Sequence, residues 1–522
     1  MDKTSVLIVG AGPTGLTMAC ELARRDIDFR IIDKKPQRTQ TSNALGIQAR
    51  TLELFDDMGI VDRFLSIGNK THAVMIHADG KTIGHVTFDQ LDSMYKFALM
   101  VPQSQTEKLL DERLNELGHQ VEHGVELISM TQDSKQVMAT LKHADNKKED
   151  VKADYVVACD GIHSAVRKSL NAPFPGEDIS QAFIVTDAEV DTNFPVDELH
   201  VFLGHKKLIA FFPITTGRYR ITTNVDGDQA KTISEQQVKT LVEKRSHGLF
   251  KITETTSIFP FWIHSKVISH MQHGRVFFAG DTAHVHSPVG GQGMNTGIQD
   301  AYNLAWKLAL VIQGKAKPSL LESYNPERHP VIENIVKTTE RMTKMMFIGN
   351  PFFVWIRNHI VKFITSKRVF VRKVTMQVSQ LAIQYKLSPI IFYKSAMSSR
   401  SPQAGERAPD VIITENRWLF DVLRGIQHNI LFFTGLNPTE KEIANITSIV
   451  KWLRDTYAGV IKVSVISKDP IENCIIDENL ALHKRYNVQY AGVFLIRPDN
   501  YIAYCDNVLN REKLERFLNH IF

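Results

Sequence analysis

Residues 5–33 read as strand, glycine turn, helix and strand, and few folds accommodate that succession. The apolar run SVLIVG leads into Gly10-x-Gly12-x-x-Gly15, the segment LTMACELARRD follows with helical character, and FRIID closes the stretch on Asp33. Each part has a mechanical task in dinucleotide binding. Gly10 permits a tight turn, Gly12 lets a pyrophosphate approach the backbone, and Gly15 allows the helix to pack closely on the strand. Asp33 stands about twenty residues on, where an acid accepts from a ribose hydroxyl. A bare glycine triplet is weak evidence, but this one follows a strand, opens a helix and ends on an acid. The stretch predicts a dinucleotide site and does not by itself distinguish a flavin from a nicotinamide.

At 280–295 the chain reads GDTAHVHSPVGGQGMN, followed by the helical IQDAYNLAWKLAL. The apolar RVFFA delivers the backbone to Gly280 and Asp281, and Gly290, Gly291 and Gly293 lead into the helix. Glycines without Cβ let main-chain N–H groups face an electron-rich group, and the helix adds the positive end of its dipole at the same place. Asp281 is the one acid there. Between the two stretches, VKADYVVACDG stops at Asp160-Gly161 and passes directly into a helical segment carrying Ser164 and Arg167. Such a strand–DG–helix sequence belongs at the carboxyl edge of a parallel sheet, where ligands of α/β proteins bind. Arg50, opening the helix ARTLELF, either reaches a phosphate or is an ordinary exposed arginine, while Leu52, Phe55 and Met58 form a core stripe at helical spacing. Gln103, near another helix start, carries no special signal alone.

Composition removes several classes of function. A net charge of +5 on 522 residues lends nucleic-acid binding little support. Cys20, Cys159, Cys474 and Cys505 are scattered without a CxxC, against a disulfide framework, a zinc site or a dithiol centre. No run approaches the uncharged span of about eighteen residues that a membrane helix needs, so no integral span is expected and a cytoplasmic enzyme is the default. Residues 181–225 change character: AFIVTDAEV, LHVFLG, KLIAFFPIT and YRITTNV alternate and predict a largely antiparallel sheet inserted into the first domain. Phe202, Phe211 and Phe212 there either line an aromatic ligand's pocket or fill the sheet's core, and core is favoured for any single one. Residues 330–400 are mostly helical. Their stretch FFVWIRNHIVKFITSKRVFVRKV mixes aromatics with Arg357, Lys362, Lys367, Arg368, Arg372 and Lys373. A basic amphipathic helix of this kind can lie on an anionic membrane, but packing of its apolar face on the protein is the commoner outcome and is expected here. SSRSPQAGERAPD reads as a linker, and strand-like runs alternating with helical ones complete the chain.

The three motifs together resemble the group A flavoprotein aromatic monooxygenases, in the branch of phenol hydroxylase and the aromatic-polyketide and rifampicin hydroxylases. The likeness extends over most of residues 4–330, including ALGIQARTLELF, VPQSQTEKLL and GGQGMNTGIQDAYNLAWKLA. It implies an α/β fold with three parts. A Rossmann-type, glutathione reductase-like FAD-binding domain is expected over 1–180 and 273–345, with part of 71–101 contributing to a substrate-binding β-sheet domain at 181–272. A helical segment and linker at 346–405 precede a thioredoxin-like domain at 406–522 that lacks CxxC, whose expected role is packing or subunit contact, as in a homodimer.

The resemblance assigns the first glycine motif to the FAD pyrophosphate, Asp33 to the adenosine ribose, Gln103 to a flavin contact and Leu127 to the adenine end. Arg50 is counted among the cofactor contacts. Asp160-Gly161 is the motif associated with both FAD and NAD(P)H, and Asp281 would bind the ribityl or ribose-phosphate portion. Pro288 and the loop through Gly290, Gly291 and Gly293 would face the isoalloxazine, with Met294 and Asn295 near its N1–C2 carbonyl, where a helix N-terminus stabilises the charge of reduced flavin. Asn43 stands where many relatives carry an arginine. His284 and His286 are only two residues apart without a third ligand nearby, so no metal is expected. The implied reaction is NAD(P)H-dependent reduction of FAD, followed by transfer of one oxygen of O₂, through a flavin C4a-hydroperoxide, to a phenolic or polyketide-like ring. A flavin reductase or dehydrogenase on the same fold, and a non-catalytic flavin-binding sensor, are the alternatives. A flavin halogenase is weaker still, since FPFWIH only faintly echoes WxWxIP.

Overall fold

The computed structural model describes residues 2–38, 44–392, 397–415, 417–471 and 474–522. Asn43 lies outside the described residues. The chain divides into two compact units, one of residues 1–17, 30–300 and 332–381, the other of 18–29, 301–331 and 382–522. The second therefore takes in two stretches that the sequence reading groups with the first glycine motif.

The first unit holds two eight-stranded sheets. In one, the strand Asp2–Val9 pairs in parallel with Lys148–Ala158, which pairs in parallel with Val276–Phe278. Val6 to Val9 and Val156 to Ala158 are buried, as the continuous apolar runs require in a sheet covered on both faces. The three strands end at Val9, Ala158 and Phe278, and Gly10, Asp160 and Gly280 follow within two residues, so each motif emerges at the same carboxyl edge.

The other sheet is antiparallel except where Glu198–Leu203 runs parallel to Ala73–Ala78. Its longest strands are Gly176–Asp191 and Lys251–Val267. The hairpin Ala73–Ala78 and Lys81–Thr87 completes it from the earlier part of the chain. Ile184, Ile209, Phe211, Ile221 and Phe250 form its core together with Val238 and Val242 of the helix Glu235–Arg245. That helix opens on a capping box of Ser234 and Gln237, which satisfies backbone donors that a helix start leaves without partners.

The second unit is organised on a five-stranded mixed sheet whose central strand is His428–Phe433. Successive side chains of a strand point to opposite faces. Ile430 and Phe432 accordingly join Leu453, Leu495 and Leu518 on one side, while Leu431 and Phe433 join Leu482, Tyr486 and Phe494 on the other. A charged cluster lies buried in this unit. Glu327 accepts from Arg497 at 2.5 and 2.9 Å, from Lys307 Nζ at 2.7 Å and from Asn303 Nδ2 at 2.8 Å, and Asp499 takes the remaining face of the Arg497 guanidinium. Burial opposes ionisation of Glu327, but Arg497 and Lys307 prevail and hold its carboxyl far below the usual range. No helix among the described residues is long and apolar enough to cross a membrane.

Candidate functional site

At the carboxyl edge of the parallel sheet opens a cleft of about 870 Å³. Its construction begins with the glycine turn. Gly10, at φ +103°, donates to Ile32 O at 2.8 Å, and a Cβ there would stand 2.4 Å from Cys159 O. A Cβ on Gly15 would come 1.9 Å from Gly10 O, so that position is closed to any other residue by the helix's approach to the turn. Gly12 differs: a Cβ would meet no protein atom within 4 Å, because Gly12 faces the cleft. Asp33 lines the same end, its carboxylate accepting from Ala11 N and Lys35 N, each at 2.8 Å.

The second and third motifs are joined by one hydroxyl. Thr282 Oγ1 accepts from Gly161 N at 2.9 Å and donates to Asp160 Oδ1 at 3.3 Å, while Arg167 donates to Thr282 O at 3.0 Å. Asp160 Oδ2 also caps the following helix through Ala165 N at 2.7 Å. Gly280, at φ +63°, leaves room for Thr14, whose Oγ1 would lie 2.5 Å from a Cβ there. Thus the turn at 10–15 packs directly on Gly280, and all three motifs converge.

Asp281 lines the cleft and receives no hydrogen bond from the described residues. Its side chain is exposed to the open cleft, yet the protein packed around the site raises its pKa, with His284 opposing. His284 itself is buried and shares a 2.7 Å hydrogen bond with Asp300, whose carboxylate also accepts from Gly280 N at 3.1 Å. Burial and the neighbouring His284 lower the His286 imidazole to about 4, although its bond to Ser287 O pulls the other way. Among the described residues no group of three or more His, Cys, Asp or Glu is arranged to hold a metal.

At the far end the cleft is bounded by Pro288, Gly291, Gly293 and Met294, where the helix Gly293–Ile312 begins, and by Val185, Phe212, Arg220, Thr222 and Phe261 of the antiparallel sheet. Gln103 and Leu127 line it nearer Asp33. Gln103 Oε1 accepts from Ala44 N at 3.2 Å and its amide donates to Glu107 at 2.9 Å. Burial raises the pKa of Glu107, partly offset by that bond.

Several expected site residues stand elsewhere. Arg50 is almost wholly buried and paired with Glu53 at 2.8 Å, off the cleft wall, because its side chain turns into the protein where Glu53 awaits it one helical turn on. Asn295 is also buried behind the wall: its Oδ1 accepts from Gln48 N, and its Nδ2 donates to Gly46 O and Gly291 O, all at 2.9 Å. It braces the glycine loop. Gly290 contributes a carbonyl that accepts from Gln48 Nε2 at 3.2 Å and does not line the cleft. Phe202 and Phe211 lie in the sheet's core, Phe211 stacked on Phe250 with centroids 3.9 Å apart, and only Phe212 faces the cleft. Alternation along the strand decides between these two neighbours.

Sequence reasoning missed Arg220. It makes a two-pronged pair with Asp187 at 2.8 and 2.9 Å and donates to Ala44 O at 3.2 Å. Opposite charges in AFIVTDAEV and YRITTNV were the available signal, but only the register that sets Asp187 opposite Arg220 makes them a pair.

The glycine that no protein atom crowds, the exposed acid without a protein donor and the helix start at the far end together suit a long, polyhydroxylated, anionic ligand such as FAD. Residues 3–339 match the FAD binding domain family. The chain is 32% identical to 6-methylpretetramide 4-monooxygenase of Streptomyces rimosus, over 96% of this chain and 90% of that protein. It is 30% identical to pentachlorophenol 4-monooxygenase of Sphingobium chlorophenolicum, over 95% and 93% respectively. Among solved structures, an anhydrotetracycline hydroxylase from Streptomyces rimosus superposes with a TM-score of 0.78 at 26% identity, covering 100% of this chain and 99% of that one.

Proposed function

The chain belongs to the FAD binding domain family, among the flavin-dependent aromatic monooxygenases, and we propose that its cleft holds FAD extended from Asp33 to Met294. FAD bound there supplies the redox chemistry, taking electrons from NAD(P)H and passing one oxygen atom of O₂ to an aromatic ring. The protein's share is binding, orientation and electrostatics. Gly12 and the helix start at Pro13 would receive the pyrophosphate, Asp33 the adenosine ribose and Leu127 the adenine edge. Asp160-Gly161 and Asp281 would meet the middle of the cofactor. The observation that carries this reading is the convergence of three sequence motifs on one cleft, the second and third joined through Thr282 and the first packed on Gly280.

The start of the helix Gly293–Ile312, braced by Asn295, would stand against the flavin ring and favour negative charge there. Phe212 and Phe261 would form an apolar wall for a phenolic or polyketide-like substrate and exclude water from it. Arg220, held by Asp187, would tie that wall to the backbone at Ala44. We assign the parallel sheet to a Rossmann-type domain and the five-stranded sheet to a thioredoxin-like domain, which packs rather than exchanges electrons because it has no CxxC. Consumption of NAD(P)H fits a cytoplasmic setting.

The test is to load the protein with FAD and follow NAD(P)H oxidation while phenols and aromatic polyketides are supplied. Accelerated oxidation with ¹⁸O from O₂ entering the product is expected. Undiminished product formation without O₂ would overturn the assignment in favour of a dehydrogenase.

A further inference from the structure

The helices Pro351–Thr365 and Arg368–Val378 present a second apolar face that the protein does not cover. The inner face of the first helix is accounted for. Val354, Arg357 and Val361 are buried at helical spacing, Arg357 donates to Met346 O at 3.2 Å, and Val361 and Thr365 lie against Gly84. The expected packing on the protein therefore occurs. Opposite it, Phe352, Trp355 and Phe363 recur at the same helical spacing and are 63%, 58% and 58% exposed. Phe370 of the second helix comes within 6.1 Å of Phe363, centroid to centroid, and Val369 beside it is 79% exposed, so the patch continues across both helices.

The charge around this patch has one sign. Residues 351–378 contain six arginines and lysines and no acid, more than the +5 of the whole chain, and no Asp or Glu occurs between Glu340 and Glu406. Lys362, Lys367, Arg368, Arg372 and Lys373 are all exposed, with Lys367 Nζ 6.0 Å from the Phe363 ring. We infer that this helix pair docks the protein peripherally on an anionic lipid bilayer, with Phe352, Trp355, Phe363 and Phe370 entering the headgroup region and the lysines and arginines meeting lipid phosphates. Exposed aromatics set among basic side chains suit that boundary, since the rings are apolar with a polar edge and the long cationic stems reach back to the headgroups. A helix of fifteen residues, about 22 Å long, lies in the plane of the surface and does not span it. A second copy is the poorer occupant, because a two-fold contact would set one basic helix pair against its own image. An aromatic substrate that partitions into lipid would be delivered at the same surface.

The FAD-loaded full chain should co-sediment with vesicles of equimolar phosphatidylcholine and phosphatidylglycerol and not with phosphatidylcholine alone. The binding should weaken strongly between roughly 0.05 M and roughly 0.5 M salt. Lys367→Gln with Arg372→Gln should lower partition roughly 20-fold. Trp355→Ser with Phe363→Ser should lower it at least about tenfold, with flavin content and far-UV circular dichroism unchanged. Three results would overturn the inference: no partition onto the anionic vesicles, equal partition onto neutral ones, or sedimentation velocity showing a dimer that the Trp355→Ser, Phe363→Ser variant converts to monomer. Because vesicle binding is read without turnover, it is independent of the outcome of the oxygenation assay.

Discussion

The cleft of the first unit and the charged cluster of the second both gather polar groups, and they treat them in opposite ways: the cluster is buried, whereas the cleft leaves Asp281 exposed. Around Glu327 every charge has a partner: the carboxylate accepts from Arg497, Lys307, Asn303 and Ser388, and Arg497 is also held by Asp499. In the cleft, Asp281 has no donor among the described residues and Gly12 faces space that no protein atom fills. A fully satisfied network supports a fold, whereas an acid without a protein partner and bare backbone at a sheet's carboxyl edge await a ligand. The same contrast separates the two glycines of one motif, since Gly15 is required by the protein's own backbone and Gly12 by what enters the cleft.

The largest effect is expected from Glu327→Ala, which strands Lys307 as a buried cation and leaves Arg497 with Asp499 alone. Urea unfolding should show a loss of about 3 to 5 kcal/mol. A loss below about 1 kcal/mol would mean that water reaches the cluster and that it is not closed. Gly15→Ala should cost about 1 to 3 kcal/mol and also lose FAD, since its methyl group collides with Gly10 O. Gly12→Ala should leave the apoprotein's stability within about 0.5 kcal/mol while weakening FAD binding, and equal destabilisation by both substitutions would erase the distinction.

Asp281→Ala should weaken FAD binding about 10- to 100-fold, read by flavin fluorescence titration, without destabilising the apoprotein. Retention of full flavin affinity would remove Asp281 from the site. The smallest effect concerns pH. His286 has a folded pKa of about 4, below its ordinary 6.5, so the unfolded chain binds more protons between these values. Its contribution is complete above pH 6.5, declines as pH falls through the window and is gone below about 4. Apoprotein stability measured by denaturant should therefore fall on acidification across that range, and His286→Gln should flatten the slope.

Much of the site was legible because its signals are local. The glycine turn, the DG sequence and the glycine-rich helix start each declare a backbone shape within a few residues, and each reaches the cleft. What was not legible depends on side-chain partners. Arg50 was counted as a cofactor contact, but Glu53 and the packing of its helix turn it inward. Asn295 sits in the right loop, yet its three hydrogen bonds go to Gly46, Gly291 and Gln48. Arg220 went unnoticed because its partner is on a neighbouring strand. The basic helix pair was expected to pack its apolar face on the protein; it does, and a second aromatic face opposite remains exposed.

By itself, then, the amino-acid order determined where the backbone must turn, which segments alternate as strands and which residues carry the motifs, because short-range sterics and hydrophobic periodicity act within one or two turns of chain. Only the tertiary structure decided that Thr282 joins Asp160 and Gly161, that Asp187 pairs with Arg220, that Phe212 faces the cleft while Phe211 does not, and that Phe352, Trp355 and Phe363 stay uncovered. Partner choice of this kind depends on register and packing between segments tens to more than a hundred residues apart, which no local pattern contains.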